Sequence, residues 1–329
     1  MKLAPALMVQ GTASSVGKSL IATALCRRFQ QDGLRVLPFK AQNMALNAFV
    51  TPDGGEIGRA QAAQAEAAGV APTVDMNPIL LKPEGDRMSQ VVVLGKPRGR
   101  MTAADYHRHK PELRDVVAAA LQRLRQNADL VIIEGAGSPA EINLKANDIV
   151  NMSVAHAADA RVLLVGDIDR GGVFAAFVGT MALLDPEERA RVGAFVINKF
   201  RGDPSLLGSG LDFLHERTGV PVLGVLPHLR GLSLADEDSL NLDDRVNRRA
   251  RHDELDIAVV RLPRVSNFDD FAPLDQQPGV VLRFVDHPGD LAGADLVILP
   301  GSKSTVADLS WLRQSGLADV IIDRAHRGL

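Results

Sequence analysis

Cysteine is the scarcest chemistry in this sequence: Cys26 is the only one in 329 residues. That excludes an internal disulfide framework and any Cys-rich metal site, and it fits a reducing cytoplasm. Positive charge in excess is missing too. Lys+Arg number 37 against Asp+Glu 40, a net charge of −3, which leaves no electrostatic footprint for a nucleic acid and makes a small-molecule partner the expectation. No apolar run approaches the roughly 18 residues needed to span a bilayer. The opening MKLAPALMVQGT reaches Gly and polar residues too early for an export signal, so a soluble chain with no membrane partner is expected. Internal repeats and low-complexity tracts are also lacking.

What is present is ordinary globular material, 46 % hydrophobic and long enough to suggest two domains. Short apolar runs bounded by turn residues recur at 6–10, 35–39, 130–134, 161–166, 193–198 and 220–226. Their length and lack of polar alternation suit strands covered on both faces. Helix-like stretches lie between them at 20–32, 111–126, 174–184 and 205–218. Such alternation implies parallel crossovers, hence an α/β doubly wound, mostly parallel sheet. Charged, weakly apolar composition at 233–254 reads as a linker, after which strand-like runs restart at 256–262, 280–285 and 295–299. The expected domains are therefore 1–232 and 255–329.

The first strand runs into Gly11-Thr12-Ala13-Ser14-Ser15-Val16-Gly17-Lys18-Ser19 and then a helix. In such a loop, small residues let backbone N–H groups wrap phosphates, the lysine meets the terminal phosphates, and the next hydroxyl ligates Mg²⁺. Gly11, Thr12, Ser14, Val16, Gly17, Lys18 and Ser19 are thus the candidate ATP-binding residues. The strict phosphate-loop pattern would place glycine at position 12, where Thr12 stands; the form present is similar to the dethiobiotin synthetase branch. Glu134 ends an apolar strand where a second metal-supporting carboxylate is expected, the alternative being a capping or surface role. Asn198 ends another strand and could bond the adenine edge or simply form a turn.

Longer segments carry a more specific signal: Pro38-Phe-Lys-Ala-Gln-Asn-Met-Ala-Leu-Asn47, Gly54-Gly-Glu-Ile-Gly-Arg-Ala-Gln61, Met76-Asn-Pro-Ile-Leu-Leu-Lys-Pro83, Glu134-Gly-Ala-Gly-Ser-Pro-Ala-Glu-Ile-Asn-Leu144 and Asn147-Asp-Ile-Val-Asn-Met152. With them the chain resembles the cobyric acid synthase family over essentially its whole length. The resemblance implies ATP- and Mg²⁺-dependent amidation of the b, d, e and g carboxylates of adenosylcobyrinic acid a,c-diamide, with ammonia derived from glutamine. It also implies roles. Lys40 would cover the transferred phosphate, with a solvated lysine as the alternative, and Asp148 would hold the metal or orient the attacking group unless it is a structural cap. Gln42, Asn43, Arg59 and Lys82 would meet the corrinoid, although Asn43 could instead cap a helix.

A basic region, with Lys82, Arg87, Lys96, Arg98, Arg100, Arg108 and Lys110 beside His107 and His109, reads either as a solvated face or as a rim that focuses a polycarboxylate. Neither histidine has a partner at metal-ligand spacing. After the linker, Asp256-Ile-Ala-Val-Val-Arg-Leu-Pro263 and Ala294-Asp-Leu-Val-Ile-Leu-Pro-Gly-Ser-Lys-Ser-Thr305 resemble the opening of a class I glutamine amidotransferase domain. By that resemblance Gly301 contributes a backbone N–H to an oxyanion hole. The nucleophilic cysteine is expected beyond His326-Arg327-Gly328-Leu329, so ammonia rather than glutamine is the expected nitrogen source for these 329 residues. Two rivals differ at named positions. Switch ATPases carry a lysine where Ala13 stands, and the sister a,c-diamide synthases lack segments like Ala41-Gln-Asn-Met44 and Met76-Asn-Pro78.

Overall fold

The apolar runs of the first domain pair into one six-stranded parallel sheet, in the order Val222–Pro227, Val192–Phe200, Arg161–Asp167, Ala6–Gly11, Leu130–Glu134, Val36–Phe39. This is a computed structural model, and the structure describes residues 3–84, 88–229, 251 and 253–328. Successive residues of a strand point to opposite faces, and both faces are covered here. Met8, Ile133 and Leu164 pack with Leu121, Phe177 and Phe195 on one side. Val9, Ile132 and Val165 pack with Ile21, Ala22 and Cys26 on the other. Runs without polar alternation are what such double burial demands.

Ala6–Gly11 lies between Leu130–Glu134 and Arg161–Asp167, so the winding direction reverses at its carboxyl end. Ligands of open α/β sheets gather at that switch point. The register brings Val9 beside Glu134, Gly11 beside Val165, and Asp167 beside Asn198, so several strands end at the same edge. Behind it, Phe177 stacks on Phe195 at 4.6 Å between ring centroids. A side chain at Gly166 would meet the Phe177 ring at 2.6 Å, so a glycine there lets the helix Val173–Leu183 lie close to its strand.

Two features depart from the expectation. The helix predicted from Pro111 is Ala103–Gln126, with Pro111 inside it and Thr102 at its N-cap accepting from the Asp105 amide at 3.1 Å. Proline favours a first helical turn, which is why it drew the boundary; the Thr102 hydroxyl supplies the actual start. Residues 42–102 also form small sheets that no periodicity announced. One is four-stranded, Gln42–Met44, Ile79–Pro83, Met88–Val93 and Lys96–Thr102; the other pairs Ala48–Val50 with Glu56–Gly58.

The chain divides into two compact units. One comprises Met1–Met44, Phe49–Leu81 and Ser89–Leu234; the other comprises Ala45–Ala48, Lys82–Met88 and Ala235–Leu329. The second contains a parallel sheet in the order Val280–Val285, Leu255–Val260, Leu296–Ile298, with the helices Thr305–Gln314 and Leu317–His326. Its own core joins Ile257, Val259, Leu282, Phe284, Leu291, Leu312 and Leu317. Within that core the Arg283 guanidinium grips both carboxylate oxygens of Asp256 at 2.8 and 2.9 Å. The short segments 45–48 and 82–88, expected in the first domain, belong to this unit because Asn47, Ala48 and Glu84 bond to its turns. Apart from residues 251, 253 and 254, the expected linker lies outside the described residues, as does Arg87. Among the described residues no helix is long and apolar enough to cross a membrane.

Candidate functional site

The helix Lys18–Gln31 starts from Gly17, whose φ of 101° lies in the left-handed range open to glycine. A β-carbon there would also sit 2.2 Å from the Asn198 amide nitrogen. No described side chain caps this helix and its first turn holds no acid, so its amides and dipole face the loop as an anion site. Lys18 folds back into the same loop, donating to the carbonyls of Ala13 at 2.9 Å and Gly137 at 3.1 Å.

Glu134, 1 % exposed, is the meeting point of three distant segments. Its Oε1 accepts from Ser19 Oγ at 2.8 Å and from Lys40 Nζ at 2.9 Å, while its Oε2 accepts from Gln64 Nε2 at 2.5 Å. Burial pushes the Glu134 carboxyl toward the neutral form. The Lys40 charge and the hydrogen bonds from Lys40, Ser19 and Gln64 outweigh that and hold it below the usual carboxylate value. Ser19 and Glu134 thus place a hydroxyl and a carboxylate together at the loop, hard oxygen donors of the kind Mg²⁺ prefers. Among the described residues, no group of three or more His, Cys, Asp or Glu side chains gathers to hold a metal.

A second clamp comes from the end of Val192–Phe200. Asn198 Nδ2 donates to Val16 O at 2.8 Å, and Lys199 Nζ donates to Ser15 O and to Asp167 Oδ2, each at 2.8 Å. Lys199 adopts φ 61°, unusual for a side-chain-bearing residue. The amide nitrogen of Asn198, a candidate for the adenine edge or for a turn, is engaged in shaping the loop.

Other expected residues fall elsewhere. Asp148 is a cap: its Oδ1 accepts from the amides of Val150 at 2.8 Å and Asn151 at 3.0 Å, and its Oδ2 from Ser153 at 2.9 Å. Both oxygens accept from backbone amides just before and within the first turn of Met152–Ala158, the geometry of the structural alternative for this residue. Asn43 is buried and donates to Gln61 Oε1 at 3.1 Å, and Gln42 accepts from the Tyr106 hydroxyl. Arg59 lies over the Phe49 ring at 5.7 Å. Lys82 and Gly301 belong to the other unit, where Gly301 O accepts from Ser266 N at 2.9 Å. Of the basic region, Lys96, Arg98 and Arg100 are exposed on one strand, whereas Lys110 is buried near the Tyr106 ring. Burial lowers the Lys110 pKa, with Asp148 opposing.

The sequence reading missed Gln64, Asp167 and Lys199. Their signal was available only in part: Gln61 and Gln64, three apart on Arg59–Ala67, are polar residues on its buried face. Cys26 is fully buried, and desolvation, with the nearby Glu134 charge second, pushes its thiol up to about 12.

Two family profiles and several relatives match the chain. A profile described as a CobQ/CobB/MinD/ParA nucleotide binding domain matches residues 7–242, and one described as a CobB/CobQ-like glutamine amidotransferase domain matches residues 256–329. The chain is 69 % identical over 323 residues to a cobyric acid synthase of Sorangium cellulosum, covering 98 % of this chain and 62 % of the relative. It is 57 % identical to one of Dehalococcoides mccartyi (99 % of this chain, 64 % of the relative). It is 61 % identical to one of Desulforudis audaxviator (98 % and 65 %). The chain thus spans less than two thirds of the length of these relatives. With a phosphate loop at the sheet's switch point and a profile match across most of its length, the chain belongs to the CobQ/CobB/MinD/ParA nucleotide-binding domain family.

Proposed function

We propose that this protein performs the cobyric acid synthase reaction, using ATP and Mg²⁺ to amidate the b, d, e and g carboxylates of adenosylcobyrinic acid a,c-diamide with ammonia drawn from glutamine. The observation that carries the reading is the convergence of Ser19, Lys40 and Gln64 on Glu134 beside Lys18. The similarity to relatives named for that reaction supports it.

A carboxylate is a poor acyl donor, so nitrogen cannot displace its oxygen directly. Attack of the carboxylate oxygen on the terminal phosphorus of ATP releases ADP and leaves an acyl phosphate. Attack of ammonia on the acyl carbon then expels phosphate, and a proton leaves the new amide nitrogen. In-line phosphoryl transfer asks the protein mainly for positioning and charge neutralisation. The loop amides and Lys18 would hold the phosphates, while Ser19 and Glu134 would hold Mg²⁺, whose charge offsets that on the phosphate oxygens. Lys40, sharing an oxygen of Glu134 with Ser19, brings a second ammonium to the place where phosphoryl group and carboxylate meet. Asn198 shapes the loop and lies at the edge where the nucleobase would be read. Gln42, Asn43, Arg59 and Lys82 are the proposed corrinoid contacts, and Gly301 the proposed oxyanion donor of glutamine hydrolysis.

Mass spectrometry of the corrinoid product tests the reading. Amides should be gained at the four named carboxylates with ATP, Mg²⁺ and a nitrogen source. Absence of amidation with both glutamine and ammonium salt would refute it, and amidation of the a and c carboxylates instead would move the chain to the sister reaction.

A further inference from the structure

Glu134 is held differently at its two oxygens. Its Oε1 faces the phosphate loop, where it takes the Ser19 hydroxyl at 2.8 Å and the Lys40 ammonium at 2.9 Å. Its Oε2 accepts from Gln64 Nε2 at 2.5 Å. A carboxylate fixed at one oxygen can still turn about its terminal torsion, which is broad; fixed at both, it cannot. Gln64 stands on the buried side of Arg59–Ala67, among Ala60, Ala62 and Ala65, and is itself 0 % exposed. Its amide oxygen is buried without a hydrogen-bond partner among the described residues. An orphaned buried acceptor lowers stability, a loss that an apolar residue at 64 would avoid. What accounts for an amide there is the bond that it donates. Gln61, one turn earlier, is equally buried and also has an unpartnered amide atom, yet it bonds Asn43 and not Glu134.

How many oxygens a carboxylate can offer bears on which cation it holds. Magnesium is small and keeps near-octahedral geometry, whereas calcium takes more ligands and accepts both oxygens of one carboxylate. With Oε2 occupied by Gln64, Glu134 has Oε1 to offer beside Ser19. We propose that Gln64 is a positioning residue that sets cation specificity: by occupying Oε2 it limits Glu134 to one ligating oxygen, which favours magnesium over calcium. It touches no reacting atom and acts through Glu134. The inference deepens the function proposed above, because it rests on Ser19 and Glu134 holding the cation that accompanies ATP.

Calorimetric titration of the full chain with adenylyl imidodiphosphate, a non-hydrolysable ATP analogue, in saturating magnesium or calcium chloride tests this. The wild type should bind the analogue more tightly with magnesium. In Gln64→Met, which keeps the length of the side chain without its donor, the ratio of the two affinities should fall about tenfold, the lower end of the effect of removing a partner from a metal ligand. Gln64→Asn, whose shorter amide stops short of Oε2, should show the same fall, and Gln61→Met should leave the ratio unchanged. An unchanged ratio in both variants at 64, an equal loss of affinity with both cations, or a fall as large in Gln61→Met would overturn the proposal. Failure of both variants at 64 to fold, judged by thermal melts, would also overturn it by making the amide structural. The titration contains no corrinoid, so the two readings fail separately. A wild type that keeps its magnesium preference but amidates no corrinoid refutes the reaction and leaves the role of Gln64 standing, whereas one that binds the analogue equally with both cations, or with neither, overturns that role.

Discussion

Each unit buries an ion pair, and the two pairs are built for different ends. Arg283 and Asp256 close on each other in a two-bond fork whose side chains are 8 % and 14 % exposed, with the remaining guanidinium nitrogen donating to the Asp290 carbonyl. Lys40 and Glu134 are buried more deeply, at 5 % and 1 %, yet they share one oxygen with a hydroxyl and leave the other to an amide. The first arrangement is a closed fork. The second gathers single bonds from several directions at the carboxyl edge of a sheet, where partners can be exchanged for a cation or a phosphate. Burial and charge are common to both, so the lesson lies in position and in how the oxygens are shared.

The largest effect should come from Lys18→Ala, which removes the charge from the loop without touching either pair. The rate of ATP-dependent amidation should fall on the order of 10²- to 10³-fold at saturating ATP, with an unchanged thermal melt, and an unchanged rate would take Lys18 out of the reaction.

Glu134→Gln and Arg283→Met are best compared side by side. Each strands one buried charge, and each should lower unfolding free energy by about 3 kcal/mol in denaturant titration. Only Glu134→Gln should also raise the Mg²⁺ requirement, by about tenfold. A shift in Mg²⁺ requirement in both variants, or in neither, would erase the distinction. The acid dependence of stability should separate them as well. Glu134 is held below its ordinary value of 4.5, so its contribution is complete above that pH and is lost as pH falls through the lower native value. In Glu134→Gln that loss should vanish from the stability profile.

The smallest effect belongs to Asp148→Ala. Removing a cap costs about 1 kcal/mol, visible as a lowered denaturation midpoint, while the Mg²⁺ requirement stays where it was. A raised requirement would return Asp148 to the metal.

These residues also mark how far the sequence could be read. The strand, loop and helix around Lys18 were legible because the signal is local: an apolar run, small residues, then Gly-Lys-Ser. The six strands were legible because double burial writes itself as uninterrupted apolar residues. Glu134 was found as an acid ending such a run, and it does stand 2.8 Å from the Ser19 hydroxyl. Gln64 and Lys199 were not found, since what makes them part of the site is pairing across 70 and 184 residues. Asp148 sat in a motif whose spacing fits a ligand and a cap equally, and the three amides that reach it across one turn are recorded by no local pattern. The strands Gln42–Met44, Ala48–Val50 and Glu56–Gly58 are three residues each, too short for any period to show. The departure of 45–48 and 82–88 from the first unit follows from hydrogen bonds to distant turns, which no local pattern records.

The convergence on Glu134 has a consequence for how the chain reaches its native state. The three bonds span 115, 94 and 70 residues, so each must wait for a long loop to close, and closure entropy is met before such contacts contribute. Until Ser19, Lys40 and Gln64 all arrive, the carboxylate stays in water, where its hydration is strongest. Its bonds are therefore expected to complete late in folding and to be largely absent from the transition state, which φ-values at Ser19, Lys40 and Gln64 near zero would show. Loosening them should then accelerate unfolding and leave the folding rate nearly untouched, so that the carboxylate that organises the loop would also lengthen the life of the native state once formed.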